Sequence, residues 1–171
     1  MKHPWRRLAA WLIDWLCIAV WVGLLVVVGL ALYSTGALDG LSLLAQNLFS
    51  FVVLIAPVTF ALAALESRGG RTPGKRALGL RVADAAASGP VSFGHALLRN
   101  TLKIALPWAI GHAAVYGFVA SAATATPPWV IALTVLAYVL PVAWVIGLFV
   151  GSGRTGYDLA AGTIVITTTK E

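Results

Sequence analysis

Asp14 has the strongest claim to a chemical role in this sequence, because it places a carboxyl group inside an apolar stretch, between Ile13 and Trp15. A charged group at the centre of a membrane-spanning helix costs about 2.5–3.5 kcal/mol on an insertion scale. Such a carboxylate is expected to face a bundle interior, a water-filled cavity or a basic partner. Two interpretations follow: a structural ion pair that fixes helix packing, or a site for a proton or a cation.

Two further charged residues belong with Asp14. Arg7 lies seven residues earlier, which is two helical turns and about 10.5 Å along the axis. The side chains of Arg7 and Asp14 must therefore extend toward each other along the helix to make contact. Asp158 follows the last apolar stretch, where it either caps a short helix over 159–162 or meets Arg7 or an Arg of the middle loop. We take Arg7, Asp14 and Asp158 as the candidate residues of an ion or proton site, and the alternative of a purely structural charged cluster stays open.

His112 lies inside the third apolar stretch and titrates near neutral pH when unperturbed. A lone histidine in a membrane helix more often hydrogen-bonds a neighbouring helix than binds an ion. We take it as a candidate supporting residue, together with Lys75 and Arg99.

The sequence gives little sign of catalytic or metal chemistry. It has no zinc spacing and no nucleophile–base order, and Gly74-Lys75-Arg76 lacks the Ser or Thr that follows the Lys of a phosphate-binding loop. We therefore expect no enzymatic activity, no metal and no cofactor.

The elements that must position these residues are apolar helices. Of the 171 residues, 60% are hydrophobic and 11% are charged, against roughly 45–50% and about 25% in soluble domains. Apolar runs at about residues 8–33, 43–65, 104–123 and 129–150 are each long enough to cross a bilayer core of about 30 Å. The predicted fold class is an all-α membrane protein, a four-helix transmembrane bundle in a single domain over residues 1–171.

The basic residues set the predicted topology. None of the 12 Lys and Arg residues lies in the short links around 34–42 and 124–128. The positive-inside rule then places both termini and the loop over 66–103 in the cytoplasm. Because these charges border apolar runs, anionic lipid headgroups are a simpler partner for the net charge of +6 than nucleic acid.

The middle loop is predicted to contain a small β-element. Leu78, Leu80 and Val82 alternate along one segment, and a turn over 85–90 leads to a second segment at 91–93. This pattern predicts a β-hairpin, and the β-branched tail over 163–169 is a candidate third strand.

Ser92 is a predicted helix N-cap, followed by a basic face of His95, Arg99 and Lys103. Two interpretations stay open for this segment. It forms an amphipathic helix at the membrane interface that kinks or ends near Pro107, or it is the anchored start of a long third helix.

Taken in order, these segments resemble the RDD family of bacterial membrane proteins, named for one Arg and two Asp. Arg7 and Asp14 match its first Arg and first Asp, Gly70 to Val82 resembles its loop after the second helix, and Arg99 resembles its recurrent Arg at the head of the next helix. Gly156 to Thr163 resembles its closing element and supplies the second Asp, Asp158. The resemblance implies a multi-pass protein of the bacterial inner membrane. Most members of the family have no established activity. Some are reported to act as cation/proton antiporters, so the resemblance implies transport as one candidate activity of this chain.

We are left with two functional hypotheses. The leading one is a small membrane protein of cation/proton transport that uses Asp14 with Arg7 and Asp158, as a homo-oligomer or with a partner because four helices make a small bundle. The alternative is a non-transporting scaffold or accessory protein, in which the charged cluster only fixes a cytoplasmic sheet to the bundle. A dry Asp14 bonded to an Arg favours the scaffold, whereas a polar cavity reaching it favours transport.

Overall fold

The computed structural model describes residues 3–168 and contains four helical segments long and apolar enough to cross a membrane. Lys2, Thr169 and Lys170, which entered the topology and strand predictions, lie outside the described residues. In chain order the elements are α1 (Pro4–Ser34), α2 (Leu43–Ser50), α3 (Ala56–Gly69), α4 (Pro73–Ala77), β1 (Leu80–Asp84), α5 (Phe93–Asn100), α6 (Leu106–Ala120), α7 (Pro128–Phe149), α8 (Gly156–Ala160) and β2 (Thr163–Thr167). The predicted fold class, an all-α membrane protein with a small β-element, is confirmed.

Both central spans contain a π-helical turn placed just before a proline. The turn Phe51–Ile55 joins α2 to α3 and precedes Pro57, and the turn Thr101–Ala105 joins α5 to α6 and precedes Pro107. Proline has no N–H, and its ring clashes with the carbonyl four residues earlier. A wider turn with hydrogen bonds between residues five apart accommodates that clash, so each helix continues through its proline.

Two helix boundaries therefore differ from prediction. The third span begins at Phe93, not near residue 104, so the separate interfacial helix is wrong and the long third helix is observed. The first turns of this span carry polar residues that are buried against protein and not against lipid. A search for apolar runs therefore starts the span too late. The first helix also starts earlier, at Pro4, where proline suits the first helical turn.

The chain reverses sharply after α3. Gly70 adopts a left-handed conformation with φ 67°, and its N–H donates to the carbonyl of Glu66 at 2.8 Å. This is a glycine helix end, because a residue with a side chain is strained at that φ. The stop directs the following segment, Thr72 and α4, back against α1.

The predicted β-hairpin is wrong, and the predicted pairing with the tail is observed. β1 runs antiparallel to β2, with Leu80 opposite Thr167 and Asp84 opposite Thr163. The segment at 91–93 leads directly into α5, with the Ser92 side chain accepting from the N–H of His95 at 3.3 Å. An N-cap at Ser92 leaves too little chain for a returning strand.

The helices bury one side and leave the other apolar and open. Ile18, Val58, Leu62 and Ile104 form a buried cluster between the spans. On the outer side of α1, Leu16 and Val20 are 69% and 76% exposed, as expected for side chains that face lipid.

One end of the bundle collects nearly all of the buried charge. The start of α1, the end of α3, the end of α5 and the segment after α7 meet there through Arg7, Glu66, Arg99 and Asp158. We call this the polar end. The loops over 35–42 and 121–127 lie at the opposite ends of the same helices.

Candidate functional site

Asp158 is the anchor of the polar end. Its carboxylate accepts from Arg7 Nη2 at 2.5 Å and from Arg99 Nε at 3.0 Å, and Asp158 itself is fully buried. The other guanidinium nitrogen of Arg7 donates to the carbonyl of Gly153. A single carboxylate thus ties the first helix and the third span to the segment after α7.

The backbone around Asp158 fixes this carboxylate in place. Thr155 begins α8 as its N-cap, and its N–H and hydroxyl donate to Asp158 Oδ2 at 3.2 and 2.9 Å. The helix spans Gly156–Ala160, and Asp158 is its third residue. Asp158 therefore caps the helix and also pairs with two arginines, two roles that the sequence left as alternatives. Burial alone would raise the pKa of Asp158, but Arg99 and Arg7 outweigh burial and lower that pKa to about 2.

Asp14 lies in a second, less charged setting. It is 3% exposed, and its two oxygens accept from the Thr72 hydroxyl at 2.6 Å and from the Gly74 N–H at 2.8 Å. Lys75 Nζ is 3.9 Å away. Asp14 therefore joins α1 to the start of α4, and it does not share Arg7 with Asp158 as the single predicted cluster required.

Gly74 makes the contact between α4 and α1 possible. A Cβ at this position would lie 2.0 Å from the carbonyl oxygen of Ala10 and 3.0 Å from Asp14 Oδ1. Only glycine allows the two backbones to approach so closely. Its N–H can then reach the Asp14 carboxylate directly.

Glu66 is the central residue of the site that the sequence did not single out. Its carboxylate is fully buried and accepts from Lys75 Nζ at 2.8 Å, from Arg99 Nη1 at 2.8 Å and from Asn100 Nδ2 at 2.8 Å. The sequence does contain an indication of this role, because Glu66 is an acidic residue at the end of a long apolar run and is followed by a loop rich in basic residues. It could have been weighed as a partner for the predicted supporting residues Lys75 and Arg99.

These contacts form one continuous network. Lys75 links Asp14 to Glu66, and Arg99 links Glu66 to Asp158, which completes the path to Arg7. Arg99 is 1% exposed and also lies over the Tyr157 ring, 5.1 Å from its centroid. The two sites that contain the predicted aspartates are therefore bridged by a third carboxylate.

His112 lies away from this network. It is half-buried, and its ring lies 6.3 Å from the Trp108 ring, centroid to centroid. Across residues 3–168 it makes no contact with Arg7, Asp14 or Asp158 close enough to count as a hydrogen bond or ion pair. The structure thus does not bring this predicted supporting residue to the site.

The network borders a cavity of about 210 Å³ that extends into the helix bundle. Within the described part of the chain, no group of three or more His, Cys, Asp or Glu side chains is arranged to hold a metal ion. The arrangement offers many hydrogen-bond donors on cationic side chains. Each buried carboxylate already accepts hydrogen bonds from protein groups.

Comparison with known proteins adds one finding. A family model described as the RDD family matches residues 1–162 of this chain. No curated protein and no solved structure matches it.

Proposed function

We propose that this chain, which belongs to the RDD family of membrane proteins, is a non-transporting scaffold or accessory protein. In this role the charged network fixes the β1–β2 sheet to the helix bundle. We propose no enzymatic activity for the chain, and this absence of activity stays a prediction.

The observation that carries the proposal is the saturation of the three buried carboxylates. Asp14 accepts two short hydrogen bonds, and Glu66 and Asp158 each accept bonds from two basic side chains. A carboxylate that carries protons or cations through a membrane must exchange these partners for water or for an ion. Breaking a buried pair by removing one partner costs about 3–5 kcal/mol, which favours a fixed structural role.

Cation/proton exchange by Asp14 with Arg7 and Asp158 is the second candidate. The observation in its favour is that Asp14 borders a second cavity, of about 320 Å³. The other residues around that cavity are apolar or weakly polar, among them Cys17, Ile18 and Trp21. Such a lining offers few groups to hold water or a cation, which is why we rank exchange second.

A flux measurement separates the two candidates. Liposomes containing the protein and a pH-sensitive dye are given Na⁺ or K⁺ gradients, with empty liposomes and Asp14→Asn as comparisons. The scaffold role predicts no cation-dependent proton flux above that of empty liposomes in either protein. Flux in the wild type that Asp14→Asn abolishes would establish exchange instead.

Hydrogen exchange tests the scaffold role directly. Asp158→Asn removes the charge that ties α8 to the helices, so amide protons of β1 and β2 should exchange faster. Asp39→Asn is the matched control, since it removes the same charge from the exposed loop at the opposite end. Equal exchange rates for the two variants would refute a network that holds the sheet.

The membrane orientation is part of the same proposal. We infer that the polar end faces the cytoplasm of a bacterial cell, at its inner membrane, because all 12 Lys and Arg residues lie outside the two short links. Exposed basic residues such as Arg68 and Arg76 would then meet anionic headgroups. With Cys17→Ser as the background, cysteines placed at Asp39 and Ala86 should react with an impermeant maleimide from opposite sides.

Homo-oligomerisation stays a prediction. It belongs to the exchange candidate, because a transport path needs more than a four-helix bundle, and size-exclusion chromatography with light scattering would measure the stoichiometry.

A further inference from the structure

The cavity of about 210 Å³ beside the network has an unusual charge lining. Four basic side chains border it, whereas none of the three network carboxylates is among its described lining residues. The basic residues are Arg7, Lys75, Arg99 and Lys103. The charged groups that a bound molecule meets among the described lining residues are therefore all cationic, on a lining that is otherwise mainly apolar.

The charges around this cavity do not balance. Four cations stand against the three carboxylates of Asp14, Glu66 and Asp158, so one positive charge is left unmatched. It is that of Lys103, whose ammonium makes no hydrogen bond or ion pair within residues 3–168, although the side chain is partly buried. An unpaired charge in a poorly hydrated site is costly, and an anion would neutralise it.

Two tryptophans add donors without partners. The indole nitrogens Nε1 of Trp15 and Trp144 are buried and have no hydrogen-bond partner, and both residues line the same cavity. An indole N–H can only donate. The cavity lining thus carries an unpaired ammonium, and two residues that border the cavity hold buried N–H groups that also need an acceptor.

We propose that this cavity binds an anion with a short apolar part, a phosphate monoester or a carboxylate. Lys103 would carry the charge contact, and a rotation of the Trp15 or Trp144 side chain, which buries its N–H in this structure, would let that N–H donate a further hydrogen bond. The apolar part would lie against Pro107, Pro141 and Val145, which border the same space. A phospholipid headgroup and a free organic anion share this chemistry, and the proposal does not depend on the scaffold role.

The test measures stabilisation of the purified protein in a zwitterionic detergent. A ligand that binds only the folded state raises the unfolding midpoint as its concentration exceeds Kd. The probes are inorganic phosphate, hexanoate and hexyl phosphate, with hexanol as an uncharged control. Native mass spectrometry of the same sample reports any phospholipid that stays bound.

Lys103→Gln and Arg76→Gln form the matched pair, because both remove one positive charge but Arg76 is exposed and does not border the cavity. We expect hexyl phosphate to stabilise the wild type and Arg76→Gln alike, and its affinity to fall about tenfold in Lys103→Gln, as loss of a charged hydrogen bond implies. Trp144→Phe keeps the ring and removes the N–H, so a smaller loss is expected. It also carries the test if Lys103→Gln does not fold.

The outcomes decide both the proposal and the source of the anion. Stabilisation by hexyl phosphate or hexanoate that depends on Lys103 supports a free organic anion. A bound phospholipid that is present in the wild type and lost in Lys103→Gln supports a headgroup. The proposal is overturned if the wild type neither retains a phospholipid nor gains stability from any probe anion, or if Lys103→Gln and Trp144→Phe bind as tightly as the wild type.

Discussion

Asp14 and Asp158 are buried carboxylates at the same end of the bundle, but they are neutralised in different ways. Asp158 accepts from the guanidinium groups of Arg7 and Arg99. Asp14 accepts from a hydroxyl and a backbone N–H, and its nearest cation, on Lys75, is 3.9 Å away. One site is held by full charges and the other mainly by neutral donors.

The difference shows how each site can respond to a change of charge. Neutralising Asp158 leaves Arg7 without a carboxylate partner and Arg99 with only Glu66, whereas neutralising Asp14 leaves donors that an uncharged acceptor can still satisfy. Asp158 also joins three segments, because it pairs with Arg7 of α1 and Arg99 of α5, while Asp14 joins only α1 and the start of α4. We therefore expect the Asp158 site to depend on its negative charge, and the Asp14 site to tolerate loss of that charge.

Asp158→Asn should have the largest effect on stability. It leaves Arg7 and Arg99 with only Glu66 to balance them, and the expected loss is about 3–5 kcal/mol of unfolding free energy. Chemical denaturation in detergent measures the change, with Asp39→Asn as the surface control. A loss below that of Asp14→Asn would reverse the ranking of the two sites.

Gly74→Ala should break the Asp14 site without changing any charge. The new Cβ would lie 2.0 Å from the Ala10 carbonyl oxygen, so α4 must move away from α1. Overpacking of this kind costs about 1–3 kcal/mol. Gly94→Ala is the matched control, because nothing lies within 4 Å of a Cβ there, and it should be neutral or stabilising. If Gly74→Ala is as stable as Gly94→Ala, the close contact is not needed.

The four spans could be predicted from the sequence because a bilayer demands long uncharged runs, and the chain contains four of them. The same rule hid the polar start of the third span. Arg99 is charged in sequence but buried in the structure, where Glu66 and Asp158 compensate it. Tertiary pairing of this kind leaves no trace in hydropathy.

The site could be predicted only in part, for a related reason. Arg7, Asp14 and Asp158 stand out by type and position, yet which of them touch depends on how loops fold back. The glycine stop at Gly70 directs Thr72 and Gly74 onto Asp14, so the expected partner Arg7 is left for Asp158. Spacing along α1 alone cannot show that outcome.

Acid should weaken the Asp158 site. The pKa of Asp158 is lowered from 3.8 to about 2, so between these values the unfolded chain binds a proton that the folded chain does not. The stabilisation is therefore complete above about pH 5 and is lost as the pH falls toward 2, by about 2 kcal/mol at about 1.4 kcal/mol per pKa unit. The unfolding free energy of the wild type, followed from pH 5 to pH 2, should fall by about that much more than that of Asp158→Asn. Parallel curves would mean that Asp158 does not titrate as its arginine contacts require.

Asp14→Asn should have the smallest effect of the four. The Asn carbonyl can still accept from the Gly74 N–H, and its amide can donate to the Thr72 hydroxyl, which both donates and accepts. Only the attraction to Lys75 is lost, so we expect a cost of about 1 kcal/mol. Asp14→Leu has a similar volume but leaves both donors unsatisfied, and it should cost more than Asp14→Asn in the same denaturation experiment. Equal losses in the two variants would mean that the charge of Asp14, and not its hydrogen bonds, holds α1 to α4, and the contrast with Asp158 would then disappear.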